Sequence, residues 1–90
     1  MFYFEKQPNE IINGVGIDFT NWLEEGETIN NYNVTADKSG IVSSITKDGN
    51  KILCTVANGE DGDKIKLTYT IETSNGNKYE SEIILNVKEL

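Results

Sequence analysis

The chain contains no histidine and no arginine, and cysteine, proline, tryptophan and methionine occur once each among its 90 residues. Without histidine, with one cysteine and with no glycine-rich phosphate loop ahead of a helix, nucleophile-plus-base arrangements and Walker-type sites have no residues to carry them. The chain is therefore read as a non-enzyme with no cofactor. Eight lysines stand against 15 Asp plus Glu, a formal net charge of -7. That balance, with no guanidinium fork available, argues against nucleic acid and against anionic membrane surfaces as partners. Cys54 has no second cysteine to pair with, and its slot in an apolar alternation makes it a small buried hydrophobe. The opening Met1-Phe2-Tyr3-Phe4-Glu5-Lys6 has an aromatic triplet but no long apolar run, so neither a signal peptide nor a membrane span is expected, and the chain is expected in the cytosol.

What is present is alternation. From Asp63 to Thr73, Ile65, Leu67, Tyr69 and Ile71 alternate with polar residues; from Lys78 to Lys88, Tyr79, Ser81, Ile83, Leu85 and Val87 do the same. This period of two is that of half-buried strands. The pattern also selects the turn between them. A two-residue Asn75-Gly76 loop would set Ile71 opposite Glu80, whereas the three-residue loop Ser74-Asn75-Gly76 sets Ile71 opposite Tyr79, Leu67 opposite Ile83 and Ile65 opposite Leu85. The expectation is a type I turn with Gly76 left-handed in a G1 bulge. Ile84 is left facing outward, on a surface that is either covered or an interface.

Elsewhere the chain breaks into short apolar pieces. Phe2 to Lys6 is an edge strand or a tail ended by Pro8. Ile11 to Phe19 is a strand interrupted by Gly14 and Gly16, where a bulge or a close backbone approach is expected. Trp22 and Leu23 sit in a turn docked on the core, and Ile29, Tyr32 and Val34 mark the next strand. Ile41 to Thr46 and Lys51 to Ala57 form a second hairpin, for which a two-residue type I′ turn at Asp48-Gly49 pairs Ile45 with Ile52. About seven antiparallel strands, turn signals every eight to twelve residues and no helical periodicity predict an all-β immunoglobulin-like sandwich, one domain over residues 1–90.

Few residues suggest chemistry. Glu80 and Glu82 lie two apart on one strand and read as a solvated, protected edge. Glu60-Asp61-Gly62-Asp63, with Glu24, Glu25 and Glu27 from another loop, offers hard oxygen ligands but lacks EF-hand spacing, and reads as acidic turns. Phe2, Tyr3, Phe4 and Trp22 are the aromatics that could form a sugar platform. Trp22 reads instead as core or core rim. Phe2 and Phe4 read as an intermolecular contact, a terminal aromatic strand docking on a neighbour's sheet edge.

Several segments in order carry a resemblance: Lys6-Gln7-Pro8-Asn9-Glu10, Ile17-Asp18-Phe19-Thr20-Asn21-Trp22-Leu23, Gly26-Glu27-Thr28-Ile29, Tyr32-Asn33-Val34, Gly59-Glu60-Asp61-Gly62 and Leu67 to Gly76. Together they resemble the small phage fiber-tail adaptor proteins, whose sequences carry a Lys-x-Pro-x-Glu start, an Asp-Trp-Ser-x-Trp-Leu centre and a glycine-rich turn before the last hairpin. Phe19 stands where that family has its first Trp, and the small-residue turn is here acidic. The resemblance implies a phage or prophage virion structural protein, an immunoglobulin-like tail or fiber adaptor without catalysis. It implies partners among other tail, fiber or baseplate proteins, self-association in the assembled particle, and residence in the bacterial cytoplasm before assembly and in the virion afterwards. The alternative from another class is a carbohydrate-binding or cell-surface immunoglobulin-like module, for which Trp22 would have to be solvent-exposed.

Overall fold

Seven strands follow one another in the computed structural model, which describes residues 2–89. They are β1 (Phe2–Lys6), β2 (Ile12–Asp18), β3 (Ile29–Ala36), β4 (Val42–Asp48), β5 (Lys51–Val56), β6 (Lys64–Thr73) and β7 (Lys78–Val87), with one 3-10 turn at Thr20–Trp22 between β2 and β3. They form two sheets, ordered β1-β7-β6-β3 and β2-β5-β4. In immunoglobulin lettering these are A-G-F-C and B-E-D, the sandwich partition with the first strand moved to the G edge. The fold is all-β, as the turn spacing predicts. One strand departs from the antiparallel expectation: β1 runs parallel to β7, from Phe2 beside Ile83 to Lys6 beside Val87. Parallel neighbours need a long crossover, and here everything between the first and last strands supplies it.

The β6–β7 hairpin has the register that alternation dictates, with Ile65, Leu67, Tyr69 and Ile71 opposite Leu85, Ile83, Ser81 and Tyr79. Its turn is closed by Gly76 N–H to Thr73 C=O at 3.0 Å, with Gly76 at φ +80°. The other hairpin differs from expectation by one residue. Asp48 pairs with Lys51, Lys47 with Ile52 and Thr46 with Leu53, so the loop is Gly49-Asn50 and Ile45 does not face Ile52. Positive φ falls on Gly49 alone of the two loop residues, as in a type II′ turn. A register shift between Ser43 and Thr46, where Ser44 takes φ +51°, then returns Val42 to Val56.

The two inner faces meet in one core containing Val15, Ile17, Phe19, Val34, Ile52, Val56 and the buried residues of β6 and β7. At its centre Tyr69 is fully buried, and its hydroxyl donates to Val15 C=O at 2.8 Å and lies 3.4 Å from the Cys54 sulfur. Burial pushes the Tyr69 phenol well above its ordinary pKa and raises that of the Cys54 thiol. Glu27 is also buried; its carboxylate accepts hydrogen bonds from the Thr73 hydroxyl, the Asn77 side-chain amide and the Glu24 N–H. These bonds, the Thr73 one foremost, hold its carboxyl below the usual range.

Candidate functional site

The edges made by β1 and β2 lie on the same side of the sandwich, and three of the exposed aromatics, Phe2, Tyr3 and Trp22, gather there. β1 pairs only with β7, and β2 only with β5, so each has one unpaired edge. Between those edges runs a groove of about 510 Å³, with Phe2, Phe4 and Ile83 on one wall and Gly14 to Asp18 and Trp22 on the other.

The register with β7 decides which way each residue of β1 points. Phe2, Phe4 and Lys6 share the inward face with Ile83, Leu85 and Val87, whereas Tyr3 and Glu5 lie on the outer face beside Ile84 and Asn86. Phe4 is half-buried against the core, Phe2 is 57% exposed and Tyr3 71% exposed. Lys6 is 2% exposed, and its ammonium donates to the carbonyls of Gln7 (2.7 Å) and Pro8 (3.3 Å). Burial lowers its pKa, opposed by the charge of Glu10. The strand is thus pinned at its C-terminal end by a lysine that holds the following turn, itself closed by Gln7 N–H to the Glu10 carboxylate at 2.6 Å.

On the opposite wall, the bulge between Ile12 and Val15 takes Gly14 to φ +73°. Gly16 lies so close to β5 that a Cβ there would stand 2.1 Å from Ile52 O and 2.5 Å from Leu53 Cδ2. Two positions of this wall therefore carry no side chain. Asp18 ends the strand just before the 3-10 turn, its carboxylate accepting from Thr20 Oγ (2.6 Å) and Thr20 N–H (2.9 Å), bonds that keep its carboxyl below the ordinary range. The turn carries Trp22 edge-on to the buried Phe19 (5.4 Å between ring centres) and to Tyr79 (5.7 Å). Trp22 is 42% exposed, a rim residue at the mouth of the groove, and Leu23 is half-buried against the core.

Of the residues singled out from the sequence, Phe2 and Phe4 share this groove, but Ile84 does not. It is half-buried on the outer face of the four-stranded sheet, between Tyr3 of β1 and Lys66 of β6. Ile65, Leu67, Tyr69, Ile71, Ile83 and Leu85 are all buried, and Gly76 makes the turn described above. The picture of β1 as a free strand reaching for a neighbour gives way to an intramolecular one, since its inward side already rests on its own sheet. Sequence reading missed Tyr3 as the companion of Ile84 and Lys6 as a buried residue. The period of two groups Phe2, Phe4 and Lys6, but a lysine on an inward slot is read as surface.

The acidic loops do not meet. The segment carrying Glu24 and Glu27 is bonded to Thr73, Ser74 and Asn77 at one end of β6, through contacts such as Ser74 N–H to Thr28 C=O. Glu60 to Asp63 lies at the other end, where Gly62 N–H meets Val87 C=O. The long axis of the molecule is 44 Å, and the length of β6 separates them. Asp63 has its own employment, accepting from Lys38 at 2.6 Å and from Glu60 N–H at 2.8 Å. Among the described residues no three His, Cys, Asp or Glu side chains converge as metal ligands would.

What this geometry offers is a surface for contact: two open strand edges, a groove between them and aromatic rings around it. No individually curated protein matches the chain. Residues 6–86 match the family model of the podophage GP4 fiber-tail adaptor protein gp77, so this immunoglobulin-like chain belongs to that fiber-tail adaptor family.

Proposed function

We propose that the protein is a non-catalytic adaptor of the phage tail that holds neighbouring tail, fiber or baseplate proteins through the edge formed by β1 and β2. The observation that carries this reading is the concentration of exposed aromatic surface there: among the described residues, Phe2, Tyr3 and Trp22 are three of the five large hydrophobic residues most open to solvent. Exposed apolar surface clustered at one place marks an interaction site, and aromatics are the residues on which interface energy concentrates. The charge of -7 keeps copies dispersed in the bacterial cytoplasm until a complementary partner in the virion is met. It also disfavours nucleic acid and anionic membranes as partners.

The test is affinity capture of the tagged full chain from cells producing the phage, with co-purifying proteins identified by mass spectrometry. Recovery of tail, fiber or baseplate proteins, lost when Phe2 and Tyr3 are replaced by Ser, supports the reading. Recovery of none of them contradicts it.

The half-exposed ring of Trp22 is the observation that favours the carbohydrate-binding alternative. Since Trp22 is the chain's one tryptophan, its fluorescence separates the two readings. Suppression of acrylamide quenching by cell-wall polysaccharide, and not by tail proteins, selects the alternative.

A further inference from the structure

The sandwich has four edge strands, and three of them are interrupted. β2 shifts register between Ile12 and Val15, β3 between Ile29 and Asn31, and β4 between Ser43 and Thr46. Such irregularities twist an edge away from further pairing. β1 pairs with β7 residue for residue with no shift. It is the regular edge of the molecule, and also the most aromatic.

The parallel ladder determines which backbone groups that edge presents. Lys88 N–H donates to Lys6 C=O at 2.9 Å, so the polar groups of Lys6 point toward β7. In a parallel pair, alternate residues direct both N–H and C=O to the same neighbour. Phe4 and Phe2 therefore face β7 as Lys6 does, and the N–H and C=O of Tyr3 and Glu5 face solvent. A second strand laid along β1 would find two donors and two acceptors ready.

Charge selects what that strand carries. Of the two charged side chains on β1, Lys6 is buried with its ammonium bonded to backbone carbonyls, and Glu5 is exposed. The charged residue of the adjoining groove is Asp18. Asp18 stands opposite Lys51 on β5, so Glu5 is the charge that makes this edge anionic, and on a chain of net charge -7 it opposes pairing with a second copy.

Resting on the adaptor reading, we infer that β1 accepts an extended strand of a partner protein in which apolar residues alternate with lysine or arginine, extending the four-stranded sheet by one strand. Main-chain bonds to Tyr3 and Glu5 hold it, and Glu5 and the aromatic side chains select it.

The probe is a blocked heptapeptide of alternating Val and Lys, with the same peptide carrying Glu for Lys as control, added to the full chain. Amide exchange at Tyr3 and Glu5 is then followed by NMR. With the Lys peptide, exchange at both amides slows on the order of tenfold or more, and the Glu peptide binds about tenfold more weakly. Glu5→Pro removes an outward N–H without touching the β7 ladder, a position where an edge strand tolerates proline, and weakens peptide binding on the order of tenfold or more. Glu5→Gln, which keeps the N–H, retains binding and loses the discrimination between the two peptides. Unchanged exchange at Tyr3 and Glu5, equal binding by Glu5→Pro, or protection of these amides by self-association without peptide overturns the inference. Capture of tail proteins that persists undiminished in Glu5→Pro overturns strand addition and leaves the adaptor reading standing. Wild-type protein that captures none removes both.

Discussion

The Tyr69 hydroxyl reaches across the core to the Val15 carbonyl at 2.8 Å, joining β6 of one sheet to β2 of the other. These are the F and B strands, which antibody domains join by a disulfide. With a single cysteine, this chain makes the inter-sheet link from a phenol. Cys54, 1% exposed on the strand beside β2, adds its sulfur at 3.4 Å.

Tyr69→Phe keeps the ring and leaves the Val15 carbonyl buried without its donor. Urea denaturation should show a loss of about 1–3 kcal/mol with the m-value unchanged. A loss indistinguishable from zero would mean that another group or a water takes the bond.

Cys54 should be inert in the native state because burial both encloses it and raises its thiol pKa. A thiol reagent at pH 8 should label it only at the rate of global unfolding, and fully in denaturant. Rapid native labelling would contradict the packing of β5 against β6.

Gly16 is expected to reject any side chain, since its Cβ would fall 2.1 Å from a backbone oxygen that cannot swing aside. Gly16→Ala should lower stability by about 1–3 kcal/mol, whereas Gly14→Asn, in open space at a left-handed φ that asparagine tolerates, should cost far less. Paired thermal melts of the two variants test this ordering.

Acid should weaken the end of the sandwich that Glu27 ties together. Its carboxyl lies below its ordinary value of 4.5 in the folded state, so its contribution is fully present above pH 4.5 and is lost as pH falls through the folded value. Asp18 and Asp63 shift in the same direction from 3.8, so their contributions are lost at lower pH, from about 3.8 down. Stability measured from pH 7 to 3 should therefore hold and then fall below about pH 4.5. Glu27→Gln should be less stable at pH 7 and flatter across that range. A Glu27→Gln profile parallel to wild type would assign the acid sensitivity elsewhere.

Much of this architecture is legible in the residues, and the parts that are not share a cause. Ile65, Leu67, Tyr69 and Ile71 against Tyr79, Ile83 and Leu85 fix a register because each one-residue slip would turn an apolar row to water. Gly14 and Gly16 announce a bulge and a close approach, and both are there. The β4–β5 hairpin slips by one because its compensating irregularity falls at Ser44, and a serine at φ +51° has no signature in sequence. Alternation says which face a residue takes but not which strand lies beside it, so the parallel pairing of β1 with β7 could not be read. The candidate edge suffers from the same gap. Phe2 and Phe4 stand out as aromatic, but only the ladder shows that Phe4 half-belongs to the core and that Tyr3 faces out beside Ile84. The family match begins at Lys6, so Phe2 to Glu5 rest on geometry alone.

The β1–β2 edge is proposed as the place where the protein is held in the phage. The most direct measurement is quantitative mass spectrometry of purified particles assembled with wild-type chain or with Phe2→Ser and Tyr3→Ser together, both residues being exposed enough for the variant to fold. Melting curves of the isolated proteins serve as the control. The particles should contain the wild-type chain, with the variant reduced on the order of tenfold or more at matched stability. Incorporation of the variant at the wild-type level would contradict it and move the attachment surface elsewhere on the sandwich.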